Sequence, residues 1–164
     1  MALENTEVQG RIQRYCDRFS LKAKVQLGFG FDGIVMTTGE AAIKGLRYQK
    51  LYLKEKAVYE RLEAKGVREV EGFRVPKFLR SDDELWVIEM SIVAPPFVLD
   101  FAGASLDVRP DFPDDVWEEW LADKQEQFGE RWSRVESIMA VFRGMGIYLS
   151  DVKPGNIEFD PEEP

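Results

Sequence analysis

Between Lys24 and Leu46 the chain reads as three short extended runs held apart by glycine, and this segment restricts the fold more than any other. Lys24-Val25-Gln26-Leu27 alternates polar and apolar, Gly28-Phe29-Gly30-Phe31-Asp32-Gly33 follows, and Ile34-Val35-Met36 resumes an apolar run. After the turn Thr37-Thr38-Gly39-Glu40, Ala41-Ala42-Ile43-Lys44-Gly45-Leu46 reads as a third strand. Extended runs separated by turn residues predict hairpins, and hence an antiparallel sheet. In a dinucleotide fold the glycines lead into a helix, whereas here a strand-like run follows them. A glycine turn between two strands can lay backbone N–H groups over phosphates with no side chain intervening. As plain hairpin punctuation the same glycines need no ligand. A third reading lets Phe29 or Phe31 fold under and fill the phosphate position.

The flanking segments are helical. Val8, Ile12 and Tyr15/Cys16 fall at helical spacing within residues 1–20, and Cys16 reads as a buried small hydrophobe. A second helix is expected from Tyr48 to Lys65, with Gly66 as its stop and Leu51, Val58, Tyr59 and Leu62 as its apolar positions. Glu55 lies on that stripe, while Glu60 is about 140° further round by 3.6-residue geometry. A carboxylate on a buried stripe needs a cation, and Lys44 on its apolar strand is the obvious partner. The bland alternatives are a surface lysine and a solvated glutamate.

Residues 67–77 read as a connection. Phe78-Leu79-Arg80 and Leu85–Met90 then flank the polar turn Ser81-Asp82-Asp83-Glu84, which signals a hairpin, and Ala94-Pro95-Pro96 breaks regular structure. Residues 97–113 read as irregular. Asp114 is placed to cap a helix through Trp117, Trp120, Leu121 and Phe128; Gly129 interrupts; and Trp132, Val135, Ile138, Met139 and Phe142 form a further amphipathic helix ending at Gly144 or Gly146.

Gly146 to Ile157 carries the densest chemistry: an apolar approach, Asp151-Val152-Lys153-Pro154-Gly155-Asn156, and an apolar exit. The carboxylate can orient a hydroxyl or a water, the ammonium can neutralise a phosphate oxygen, and the Asn oxygen can coordinate Mg²⁺. The same residue types are also ordinary turn chemistry.

Composition removes whole classes of function. The 164 residues include no histidine and one cysteine, which excludes Ser-His-Asp and Cys-His catalysis, an internal disulfide and multi-Cys zinc sites. A formal charge of −8 and a pI near 4.8 argue against nucleic acid or an anionic membrane as a bulk electrostatic partner. No apolar run approaches the roughly 20 residues needed to cross a bilayer, and no signal-peptide pattern is present, so the expectation is a cytoplasmic protein. With 45% apolar residues the chain can bury a core.

Taken in order, these motifs resemble the eukaryotic-type protein kinase-like superfamily. Gly28, Gly30, Gly33 and Val35 resemble its Gly-rich loop, Ala41-Ala42-Ile43-Lys44 its Val-Ala-Ile-Lys strand, and Asp151, Lys153, Pro154 and Asn156 its catalytic loop. Leu149 and Ser150 stand where the family has His and Arg, and Pro154-Gly155-Asn156 also looks like the small-molecule phosphotransferase branch. The resemblance implies an α+β, protein kinase-like fold: a five-stranded antiparallel N-lobe with one helix over 1–94, and a minimal, mostly helical C-lobe over 95–164. It implies nucleotide contacts from Gly28, Gly30, Gly33, Val35 and Lys44, with Glu55 holding Lys44. Backbone groups of Glu89 and Ser91 would face the adenine edge, Asp151 would be the base or orienting carboxylate, Lys153 a phosphate contact and Asn156 a metal ligand. ATP and Mg²⁺ are the implied cofactors. The sequence reaches Phe159-Asp160-Pro161 without the family's Asp-Phe-Gly, so it reads as a small, bacterial-looking, C-terminally truncated member. The expected function is ATP binding with phosphoryl transfer to a Ser/Thr protein or a small molecule. The alternative is a catalytically inactive, pseudokinase-like scaffold that meets a protein partner or a second copy through an uncovered C-lobe surface.

Overall fold

The computed structural model describes residues 2–163. In chain order it contains α1 (Ala2–Arg18), β1 (Val25–Phe29), β2 (Gly33–Thr37), β3 (Ala41–Leu46), α2 (Gln49–Ala64), β4 (Glu69–Val70), β5 (Phe73–Arg74), β6 (Phe78–Asp82) and β7 (Val87–Ser91). It continues with β8 (Phe97–Val98), β9 (Ser105–Leu106), α3 (Asp114–Phe128), a 3-10 turn (Gly129–Arg131), α4 (Trp132–Gly144), β10 (Ile147–Tyr148) and β11 (Ile157–Glu158). These fall into two units, Met1–Lys65 with Pro76–Ile92, and Gly66–Val75 with Val93–Pro164. The protein is mixed α+β. No helix among the described residues is long and apolar enough to cross a membrane.

The first unit is a five-stranded sheet in the order β1-β2-β3-β7-β6, with every neighbouring pair antiparallel. Its register decides which side chains share a face, because directly opposed residues project from the same side and successive residues from opposite sides. Gly28, Val35, Lys44 and Ile88 form one cross-strand row; Phe29, Ile34, Gly45 and Val87 form the next. The Ile34 face is covered by α1, whose Val8, Ile12, Tyr15 and Cys16 pack with Ile34, Ile43 and Val87. Burial pushes the Cys16 thiol up, as suits an unreactive core cysteine. The Lys44 face receives α2, through the Lys44–Glu55 pair and through Tyr59, whose hydroxyl meets Met90 Sδ at 3.1 Å.

Two glycines make this packing possible. A Cβ on Gly45 would lie 2.8 Å from Ile12 Cγ1 and 2.9 Å from Val8 Cγ1, so α1 seats against bare backbone. A Cβ on Gly33 would run into the carbonyl oxygen of Gly45 on the next strand. Gly33 is therefore required by strand pairing, whatever else the hairpin does.

The second unit holds α3 and α4, a four-stranded sheet in the order β11-β8-β5-β4, and a two-stranded β10-β9 pair. Residues 67–77, read as a connection, contain the β4–β5 hairpin, and residues 97–113, read as irregular, supply β8 and β9. All are two residues long, and β8 and β9 exist through partners distant in sequence: Phe97 pairs with Glu158 and Ser105 with Tyr148. Local pattern cannot signal such bridges. The β6–β7 hairpin turns at residues 83–86 rather than 81–84, because the Asp82 side chain accepts hydrogen bonds from the Glu84 and Leu85 N–H groups. Asp114 opens α3 but makes no capping bond; Pro113 holds the cap position, and Asp114 and Asp115 complement the helix dipole from its first turn.

Two outcomes follow. Gly45→Val should lower stability by about 1–3 kcal/mol through overpacking under α1, read by urea denaturation. The Asp83 carboxyl is held below its ordinary range by hydrogen bonds from Lys56 and Tyr52. Its contribution to stability is present above the unfolded carboxylate value of about 4 and lost as pH falls through the lower folded value. The stability gap between wild type and Asp83→Asn should therefore close on acidification.

Candidate functional site

In the first unit Gly28, Val35, Lys44 and Glu55 gather on one face of the sheet. Every residue of β3 is buried, so Lys44 is a cation inside an apolar strand. Its Nζ donates to both oxygens of Glu55, at 2.8 and 2.9 Å, and the two side chains are 7% and 2% exposed. A pair this buried holds only with good geometry on both charges, since removing one partner leaves the other desolvated and unpaired. Glu55 reaches Lys44 from the buried stripe of α2, made by Tyr52, Val58, Tyr59 and Leu62, while Glu60 is exposed on the far side. Tyr52 replaces the expected Leu51 as the stripe's first member, and its hydroxyl is pushed up to about 12 by burial and by its bond to Asp83.

The glycine hairpin sits in the same cross-strand row. Gly28 and Val35 lie opposite each other and in line with Lys44. Gly28 and Gly30 adopt no left-handed backbone, and a Cβ on either would meet nothing within 4 Å. The fold itself thus has no need of glycine at these two positions, in contrast to Gly33. The Gly30 N–H bonds to Gly33 O at 3.0 Å, and its carbonyl accepts from Arg47 Nε at 3.3 Å and Nη2 at 3.0 Å. The reading in which Phe29 or Phe31 fills the phosphate position is corrected by their exposure: the rings are 68% and 80% exposed.

Glu89 and Ser91 have other employment. Glu89 lies on an interior strand opposite Ile43 and Arg80, and its carboxylate points to the α1 face. There it accepts from Tyr15 Oη at 2.7 Å and from Arg80 Nε and Nη2 at 3.0 and 2.8 Å. Burial first, then the bond to Glu89, raises the Tyr15 hydroxyl pKa, so this network stays protonated on tyrosine. The Ser91 N–H donates to Lys77 O at 2.9 Å, and its hydroxyl accepts from the Lys77 N–H at 2.8 Å. The Ser91 N–H is thus taken up by the sheet edge and the Glu89 carboxylate by the α1 face. Sequence reasoning missed Tyr15, Arg47 and Arg80; none sits in a local motif, and each acts across more than a dozen residues or across strands.

In the second unit Asp151, Lys153 and Asn156 converge. Lys153 Nζ lies 2.8 Å from Asp151 Oδ2, and Asn156 Nδ2 donates at 2.8 Å to both that oxygen and the Asp151 carbonyl. The Asn156 and Ile157 N–H groups close on the Lys153 carbonyl, a turn rigidified by Pro154, and the Asn156 carbonyl accepts from Leu99 N–H. β10 and β11, paired with β9 and β8, fix both ends of the loop. The result is a half-exposed, oriented carboxylate with a cation beside it. As a magnesium site the arrangement does not fit. The amide oxygen of Asn156 is a single ligand, Asp151 Oδ2 is already engaged by two donors, and no cluster of three acidic or cysteine side chains occurs among the described residues. Asp160 is turned to its own loop, accepting from the Glu162 and Glu163 N–H groups.

No family model matches the chain, and no curated protein matches it. Among solved structures it is similar to the ternary complex of streptomycin, ATP and APH(2")-IIa, an aminoglycoside phosphotransferase, with 8% identity and a TM-score of 0.41. The match covers 71% of this chain and 34% of that one, so the chain spans about a third of that structure's length. A likeness this loose defines neither a family nor an activity.

The buried pair makes a sharp energetic prediction. Lys44→Met or Glu55→Leu alone should each cost about 3–5 kcal/mol, because each strands a buried charge. The double variant should recover most of that loss, and a double-mutant cycle by urea denaturation checks it.

Proposed function

We propose that this chain is a kinase-like, ATP-binding protein, with phosphoryl transfer to a small molecule or to a Ser/Thr side chain as its chemistry. The observation that carries the reading is the buried, two-bond Lys44–Glu55 pair in the same cross-strand row as Gly28 and Val35. A lysine that served only packing would be replaceable by an aliphatic residue without the cost of burying two charges. Glycines that the fold does not require leave the backbone at Gly28 and Gly30 bare of side chains, so that phosphate oxygens can approach it closely. In this reading Gly28, Gly30 and Gly33 form the phosphate cover, Val35 borders it, Lys44 contacts phosphate oxygens and Glu55 fixes Lys44. The second unit supplies Asp151 to orient an acceptor hydroxyl and receive its proton, with Lys153 neutralising charge and Asn156 holding the Asp151 carboxylate in place.

One observation favours a second reading, a nucleotide-binding module without catalysis: the loop around Asp151 offers no second carboxylate for a metal. Binding and turnover therefore need separate tests. Calorimetric titration should show saturable ATP binding by the folded protein. Gly28→Val should weaken it at least tenfold, about 1.4 kcal/mol, while leaving the melting temperature unchanged. Absence of ATP binding overturns the proposal. If binding persists in Asp151→Asn while transfer to any acceptor is lost, the protein is an enzyme. Binding with no transfer in wild type leaves the module.

A further inference from the structure

We infer that the second unit carries a separate binding site for a planar, aromatic, anionic small molecule, in a cleft formed by α3, α4, β10 and the loop before α3. The inference does not depend on nucleotide binding. The cleft encloses about 420 Å³, a size suited to one small ligand, and is lined by Trp117, Trp120, Met139 and Tyr148 with Arg109 and Arg143. The two tryptophans meet edge to face with centroids 5.7 Å apart, which holds their rings at a fixed angle to each other. Such walls favour a flat ring system. They do not favour a branched aliphatic chain, which gains nothing from the ring faces.

Charge selects the ligand further. The chain is acidic overall, with a formal charge of −8, yet this apolar cleft carries two arginines and no acidic side chain in its lining. The Arg109 guanidinium lies 4.9 Å over the Trp117 ring, so its position is set by stacking. Asp111 and Asp114 line the adjoining depression with Arg109 and offset part of its charge. Arg143 has no such acidic neighbours lining the cleft and forms no ion pair among the described residues. It stands one turn beyond Met139 on α4, at the spacing that puts both on the same helix face. A planar ligand against the tryptophans would thus set a carboxylate, sulfonate or phosphate on Arg143, in the two-bond geometry that guanidinium offers to such groups.

The test uses three naphthalenes that share the ring system and differ in the charge of one small substituent: 2-naphthoate, 2-naphthylmethanol and 2-naphthylmethylammonium. Titration followed by indole N–H signals should show saturable, one-to-one binding of 2-naphthoate that shifts Trp117 and Trp120 but not Trp86, which lies in the β6–β7 turn of the first unit under the Arg11 guanidinium. The neutral and cationic probes should bind at least fivefold more weakly. Arg143→Gln, an exposed change with no packing role, should cost 2-naphthoate at least fivefold while leaving 2-naphthylmethanol unaffected. Equal affinity for all three probes, an unaffected Arg143→Gln variant, or a shift of Trp86 as large as that of the cleft tryptophans overturns the inference. So does the absence of saturable 2-naphthoate binding by the folded protein, whether it is a monomer or self-associates by light scattering.

Discussion

One buried ion pair constrains the first unit more than any other contact. Lys44 and Glu55 are both inside the protein, one on the central β3 and one on α2, and each is tolerable only because the other is there. Satisfying the lysine fixes the rotation of α2, since only the stripe containing Glu55 can face the sheet. It also fixes the register of β3, because a slip of one residue would carry Lys44 to the face covered by α1. A fold designed for stability alone would use two aliphatic side chains. Keeping a paired charge next to a glycine hairpin is the kind of local inconsistency that functional sites show.

The opposite face of the same sheet is built on a different buried carboxylate. Glu89 is satisfied by Tyr15 from α1 and Arg80 from β6, and Arg80 also lies 3.9 Å over the Phe19 ring. The sheet thus anchors a helix on each face through a buried glutamate, and the two networks use residues of opposite parity along their strands. This arrangement separates the glycines by purpose. Gly33 and Gly45 are demanded by backbone approach and by α1, whereas Gly28 and Gly30 face open space.

In the second unit the chemistry is concentrated by tethering. Pro154 and the closed turn at the Lys153 carbonyl bring Asn156 back onto Asp151, and short strands clamp both ends of the loop. Around α3 the side chains are organised differently. Phe128 is its only buried residue, and Trp117 and Trp120 are stabilised mainly by edge-to-face contact with each other and with Phe112 and Trp132. Aromatic walls of that kind hold an open cleft without a surrounding core.

Much of this was legible in the residues alone. Alternation and glycine punctuation between Lys24 and Leu46 determined a hairpin and a third strand, and helical spacing placed Glu55 on the buried stripe with Lys44 as the obvious partner. Asp151, Lys153 and Asn156 converge because a proline turn brings residues five apart together, a local effect. The glycines looked alike in sequence, and only packing distinguished the two that the fold requires from the two that it does not. Glu89 and Ser91 were assigned by motif order to a ligand edge; tertiary packing engages the Glu89 carboxylate with Tyr15 and Arg80 and the Ser91 N–H with Lys77. The β8–β11 and β9–β10 bridges of the second unit, the network of Tyr15 with Arg80, and the grouping of Arg143 with two tryptophans all join residues far apart in the chain. Sequence pattern records what a residue does to its own helix or strand; which distant surface it meets is decided when the elements pack, because only then are burial, charge pairing and register settled together.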